Sequence, residues 1–258
     1  MISIGTSGFS YDDWRGAFYP DKMPQGEFLS YYSKYFDTCE LNFSYYRMPD
    51  RNIFERMLEK SGRKVSFSVK AFQDITHKPQ CPPEIIMQFK DSLSPLVDEG
   101  KLAALLFQFP YSFKDVPAGI KYITVLKEEF DPLPMVVEFR NRVWVSENTF
   151  SFLKEKNIGY VCVDEPQLKG LMPPVGVSTS DVAYVRFHGR NNEKWWDHKE
   201  AFERYDYSYT DNELAGWVPK IKALDQKSKT TLVYMNNHYR GNAVNNASRL
   251  KEIMELDK

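Results

Sequence analysis

Eight short apolar segments recur along this chain, and segments with helical spacing separate most of them. The strand candidates are residues 2–5, 38–41, 65–70, 103–108, 135–139, 160–163, 183–187 and 232–235, rich in Val, Ile, Leu, Phe and Tyr. Helical stripes fall between them. Phe28, Leu29, Tyr32 and Phe36 form one, and Ile53, Phe54, Met57 and Leu58 a second, opened by Asp50 as N-cap. Ile85, Ile86, Phe89, Leu93, Leu96 and Val97 follow Pro82-Pro83; Ile120, Ile123, Leu126 and Phe130 come next; Phe150 and Leu153 follow Ser146. Thr210-Asp211-Asn212-Glu213 has the form of a capping box, and Val244, Ala247, Leu250 and Met254 stripe the last helix. Strands joined by crossover helices pair in parallel, and eight such units closing on themselves make a (β/α)8 TIM barrel. The 258 residues match the roughly 250 of a typical barrel and predict one domain over 1–258. The sixth crossover, residues 165–181, is rich in Pro and Gly and is expected to be poorly helical. Residues 189–209, long, polar and aromatic, read as a loop at the site. The competing architecture, an open doubly wound sheet, demands strands apolar on both faces.

Alternation along each strand then assigns its faces. With the apolar face against the helices, the interior face reads Ser3, Gly5 and Ser7; Glu40 and Asn42; Ser66, Ser68 and Lys70; Leu106 and Gln108; Glu138 and Arg140; Cys162 and Asp164; Tyr184, Arg186 and His188; Tyr234 and Asn236. Every strand after the first ends in a charged or amide side chain at the mouth, where barrel enzymes carry their chemistry. Glu40 and Glu138 are the expected proton-transfer pair, with Lys70 as a further catalytic amine. Asn42, Gln108, Arg140, Asp164, Arg186, His188, Arg190, Asn236 and Asn237 are expected to hold substrate, and Tyr45 and Trp14 to supply stacking surfaces. The alternative is a plug in which these charges merely neutralise one another, Lys70 pairing with Glu40; such a filling stabilises poorly compared with an apolar one. Gly5-Thr6-Ser7-Gly8 fits either an anion-binding turn or an ordinary one.

Charge and composition narrow the function. With 34 Lys and Arg against 35 Asp and Glu, the chain lacks the basic balance of a dedicated nucleic-acid binder. Three cysteines in this setting read as reduced thiols. Ile2 enters a strand at once, without a leader pattern, and no apolar run reaches bilayer length, so a cytoplasmic protein with no membrane association is expected. Only His188 among the four histidines falls at a strand end, so neither a metal nor an organic cofactor is expected.

Several motifs in order resemble one family. They are Gly5-Thr6-Ser7-Gly8-Phe9-Ser10-Tyr11, Trp14-Arg15-Gly16, Phe18-Tyr19-Pro20, Glu40-Leu41-Asn42, Tyr45-Tyr46-Arg47, Val69-Lys70-Ala71 and Thr76-His77. Leu106-Phe107-Gln108-Phe109-Pro110, Val137-Glu138-Phe139-Arg140 with Trp144, Arg186-Phe187-His188-Gly189-Arg190 and Asn236-Asn237 continue the series. The chain thereby resembles the domain of unknown function 72 family nearly end to end. The resemblance implies a TIM barrel in a bacterial-type cytoplasmic protein, and no established reaction. Phe9 stands where that family usually has Trp, and Lys78-Pro79 follows His77 in place of a charged pair.

The expectation is an enzyme working by acid/base chemistry on a small polar or anionic metabolite, such as a sugar or sugar phosphate. The alternatives are a nucleic-acid-binding or metal-dependent phosphodiesterase barrel, and a non-catalytic binding module. A phosphate or carboxylate is expected against Arg186 and the turn from Asn237 to Gly241, where barrels often seat such groups.

Overall fold

The computed structural model describes residues 1–78 and 81–256. Its strands are β1 (Ile2–Ser7), β2 (Thr38–Leu41), β3 (Ser66–Lys70), β4 (Leu102–Gln108), β5 (Met135–Glu138), β6 (Gly159–Asp164), β7 (Val182–Phe187) and β8 (Thr230–Met235). They pair in parallel, each with the next, and β8 returns to β1 to close the barrel. All eight expected strands are present. Closure also explains why most strand residues are buried: one face meets the helices and the other meets the barrel interior.

The helical shell follows the caps. Asp50 accepts from the Ile53 amide and Ser146 from the Thr149 amide, starting the Arg51–Lys60 and Glu147–Glu155 helices. The third stripe divides into Pro83–Ser92 and Ser94–Asp98, because Pro95 has no N–H to continue the ladder. The capping box at Thr210 forms, but Gly216 and Pro219 divide the seventh segment into Asp211–Ala215 and Val218–Asp225. Residues 165–181 contain no helix, as their composition dictates. The three cysteines are unpaired, with Cys39 and Cys162 buried. No helix among the described residues is long and apolar enough to cross a membrane.

The expected face of β6 is wrong. Val163 lies beside Arg186 and Asp164 beside Phe187, and neighbours in register share a face. Val161 and Val163 therefore line the interior, while Cys162 and Asp164 look outward to the helices. The segment is apolar on both faces, so alternation carried no parity there. Asp164 ties the shell together instead. It is 1 % exposed and accepts from Arg190 Nε at 2.8 Å and Nη2 at 2.6 Å, Tyr209 Oη at 2.7 Å and Trp217 Nε1 at 2.6 Å. Replacing Asp164 with alanine strands these donors and is expected to cost about 3–5 kcal/mol in urea denaturation; a loss below about 1 kcal/mol would refute this role.

Candidate active site

At the carboxyl ends of the strands the interior closes over a row of alternating charges. Glu40 Oε1 lies 2.6 Å from Arg186 Nη2, Arg186 Nη1 lies 2.5 Å from Glu138 Oε2, and Glu138 Oε1 lies 2.6 Å from Arg140 Nε. Arg140 Nη1 reaches Glu165 Oε2 at 3.4 Å. Tyr184 Oη donates to the second oxygen of Glu40 at 2.7 Å. His188 Nε2 stands 3.3 Å from Glu138 Oε1, and the Asn236 amide donates to His188 Nδ1 at 2.9 Å. Beneath this row Tyr234 Oη reaches Thr38 Oγ1 at 2.5 Å and Ser68 Oγ at 3.0 Å. Register builds the cluster, because the β1–β2, β2–β3 and β7–β8 pairings set Ser7, Glu40 and Ser68 in one row and Arg186 beside Tyr234.

These contacts set the protonation states. Burial works to raise the Glu138 carboxyl, but Arg140 and Arg186 outweigh it and hold it well below the usual range. Burial, then Arg140, pushes the His188 imidazole down to about 3, so it is neutral at pH 7. Burial raises Glu165 to about 7, with Arg140 opposing. Glu40, Glu138 and Arg186 are 2 % exposed or less, so the row is closed to solvent except at its Arg140 end.

Lys70 stands apart from the paired charges. Its ammonium donates to Gln108 Oε1 at 2.8 Å and lies 4.1 Å from the centre of the Tyr45 ring. The expected counter-ion, Glu40, is taken by Arg186 and Tyr184. Burial, then the field of Arg186, lowers the Lys70 amine from 10.5 to about 7. Tyr45 Oη hydrogen-bonds His77 Nε2 at 3.2 Å, which fixes the ring beside the amine. Gln108 and Arg140 open onto a cavity of about 240 Å³ walled by Tyr111, Trp195, Trp196 and Tyr205, with Arg204 at its side.

The expected site residues thus divide. Glu40, Lys70, Gln108, Glu138, Arg140, Arg186, His188 and Asn236 converge on the mouth, with Tyr45 beside Lys70. Asn42 follows β2 there, its buried Oδ1 without a hydrogen-bond partner among the described residues. Asp164 and Arg190 do not converge, since Arg190 is spent on Asp164 and Glu213 outside the barrel. Asn237 is turned to the shell, its amide donating to Tyr207 O and Asn246 Oδ1. Trp14 is fully buried, its indole N–H donating to His238 O at 2.7 Å, and it packs the loop after β1 rather than facing the mouth. The expected anion seat is occupied: Arg186 spends both guanidinium ends on carboxylates, and Asp13 accepts from the Arg240 amide at 2.6 Å. Gly5 to Ser7 is the end of β1 and Gly8 leads out of it, with the Gly8 amide bonded to Glu40 O and the Thr6 amide to Tyr32 Oη.

Glu165, Arg204 and Tyr205 were missed. Counting outward from Val163, the residue that sits beside Arg186, would have placed Glu165 on the interior face. Arg204 and Tyr205 come from the short Ala201–Tyr205 turn, which carries no periodic signal.

A closed parallel eight-stranded barrel with a charged, amide-rich mouth defines a TIM-barrel protein. The family model described as "Protein of unknown function DUF72" matches residues 3–258. The chain is 32% identical over 275 residues to the UPF0759 protein YunF of Bacillus subtilis, covering 100% of this chain and 96% of that one. A DUF72 family protein from Thermotoga maritima shares 39% identity at a TM-score of 0.91, over 99% of both chains. One from Enterococcus faecalis shares 26% at 0.87, over 99% of this chain and 96% of that one. The chain belongs to the DUF72 family.

Proposed function

We propose that this protein is an enzyme acting by acid/base chemistry on a small anionic metabolite, such as a sugar phosphate, with Lys70 as the proton-transfer group. The observation that carries this is the setting of the Lys70 amine. It is buried, among the described residues it donates to the Gln108 amide and forms no ion pair with a carboxylate, and Gln108 in turn lines a cavity with two arginines. An amine with a pKa of about 7 is half neutral at pH 7, and a general base is most effective with its pKa near the operating pH. Glu40 and Glu138 are assigned a different part from proton transfer. Their oxygens are engaged by Arg186, Tyr184 and Arg140, so they hold the cationic frame that keeps Lys70 neutral. Arg140, Arg204 and Gln108 would receive the anionic and hydroxyl groups, and Tyr111, Trp195, Trp196 and Tyr205 would stack on the substrate skeleton.

The test uses a panel of sugar phosphates and of hydroxy and keto acids in D2O, followed by proton NMR. Deuterium is expected to enter the carbon next to a carbonyl with the native protein, and the rate to fall about 10²–10⁴-fold in Lys70→Met. Exchange of equal rate in Lys70→Met would overturn the assignment.

A further inference from the structure

A second cavity of about 300 Å³ lies beside the mouth, and the two share the walls His77 and Pro110. Its character differs. The mouth carries Arg140, Arg204 and Gln108, whereas the neighbouring lobe is lined by Phe113, Ala118, Gly119 and Tyr122, with the charged Lys78, Lys114 and Asp115 also on its walls. We infer that the two are halves of one groove, and that the substrate is an anionic head bearing an apolar tail that crosses the His77–Pro110 saddle. This rests on reading the mouth as the head site, and it adds the substrate class.

The lobe is built before any ligand arrives. Phe113 stacks on Phe109 at 4.2 Å and on Trp144 at 5.3 Å, with interplanar angles of 13° and 7°. The Trp144 indole donates to Phe113 O at 2.6 Å. The Val116–Phe130 helix is pressed onto this stack at Gly119, where a Cβ would meet Trp144 at 2.5 Å and Phe113 at 2.9 Å. On the opposite side Tyr122 Oη donates to Ile75 O at 2.6 Å, tying that helix to the segment after β3. His77 is fixed at the saddle by Thr76 Oγ1 on Nδ1, at 2.8 Å, and Tyr45 Oη on Nε2. The residue that defines the saddle therefore also positions the ring beside Lys70. A preformed, largely apolar wall in continuity with a cationic, amide-bearing cavity narrows the small anionic metabolite to one that also carries an apolar group. The lobe is also too small to seat a protein helix, whose diameter with side chains is about 10–12 Å.

Alkyl phosphates of increasing length, methyl to hexyl, test this by calorimetry. Each methylene that enters the lobe should tighten binding about three- to fourfold, the equivalent of about 0.8 kcal/mol. Ala118 is exposed on the first turn of its helix, so Ala118→Trp fills the lobe without disturbing the core. In that variant the ladder should flatten while methyl phosphate affinity stays unchanged. A flat ladder in the native protein, or one that persists in Ala118→Trp, would overturn the inference. Methyl phosphate affinity unchanged by Arg204→Met would instead count against the head site alone, so the two failures are distinguishable.

Discussion

Glu138→Gln is expected to lose about 3–5 kcal/mol of stability, because it breaks the centre of a buried charge row. Glu138 is fully buried and faces Arg186, Arg140 and His188 at once; glutamine keeps the shape but leaves Arg186 to Glu40 and Arg140 to the more distant Glu165. At this chain length the loss lowers Tm by about 10 °C. The pH dependence carries a second signature. The folded Glu138 carboxyl titrates well below its ordinary 4.5, so its stabilisation is present above pH 4.5 and is lost as pH falls toward the folded value. Glu138→Gln should therefore show a shallower acid limb. Urea denaturation of both proteins between pH 3 and 7 measures this, and a change in stability below about 1 kcal/mol would contradict the row's structural role.

That row was largely legible in the sequence. Thr38 and Glu40, Ser66, Ser68 and Lys70, and Tyr184 and Arg186 recur at every second position of their strands, so the interior side could be read there, and Glu138 with Arg140 keeps the same spacing at the end of β5. Asp164 could not be read this way, because Tyr160, Val161, Cys162 and Val163 are apolar without interruption and either parity suits them. The pairing within the mouth was also out of reach. Whether Arg186 faces an incoming anion or two carboxylates depends on cross-barrel distances that strand spacing does not encode. Lys70 shows the same limit, since its partner turned out to be the next strand's Gln108 and not Glu40. Aromatic residues gave the weakest signal: Trp14 is sealed into the loop after β1, while Trp196 is exposed at the cavity rim, and nothing local to either distinguishes them.

Lys70→Met should raise stability, and by an amount that depends on pH in the opposite sense to Glu138. The unfolded chain holds the Lys70 proton up to about 10.5, whereas the folded protein releases it near 7. The folded state therefore bears the full cost of the buried ammonium below pH 7 and is relieved of it as pH rises from 7 to 10.5. A pKa lowered from 10.5 to about 7 corresponds to about 4–5 kcal/mol at 1.36 kcal/mol per pH unit. Methionine fills a similar volume without the charge, so the variant should be more stable by up to that amount at pH 6 and converge on the native protein near pH 10. A residue retained at such a cost at neutral pH fits a functional amine better than a structural one.

On the proposed function Lys70 is a poised amine beside a binding mouth and not one more member of a neutral plug. Lysine labelled with carbon-13 at Cε reports its titration directly, with Lys70→Met assigning the signal. A midpoint near 7 is expected, moving upward when hexyl phosphate is added, because an anion in the cavity favours the ammonium. A midpoint above 10, unmoved by the anion, would contradict it.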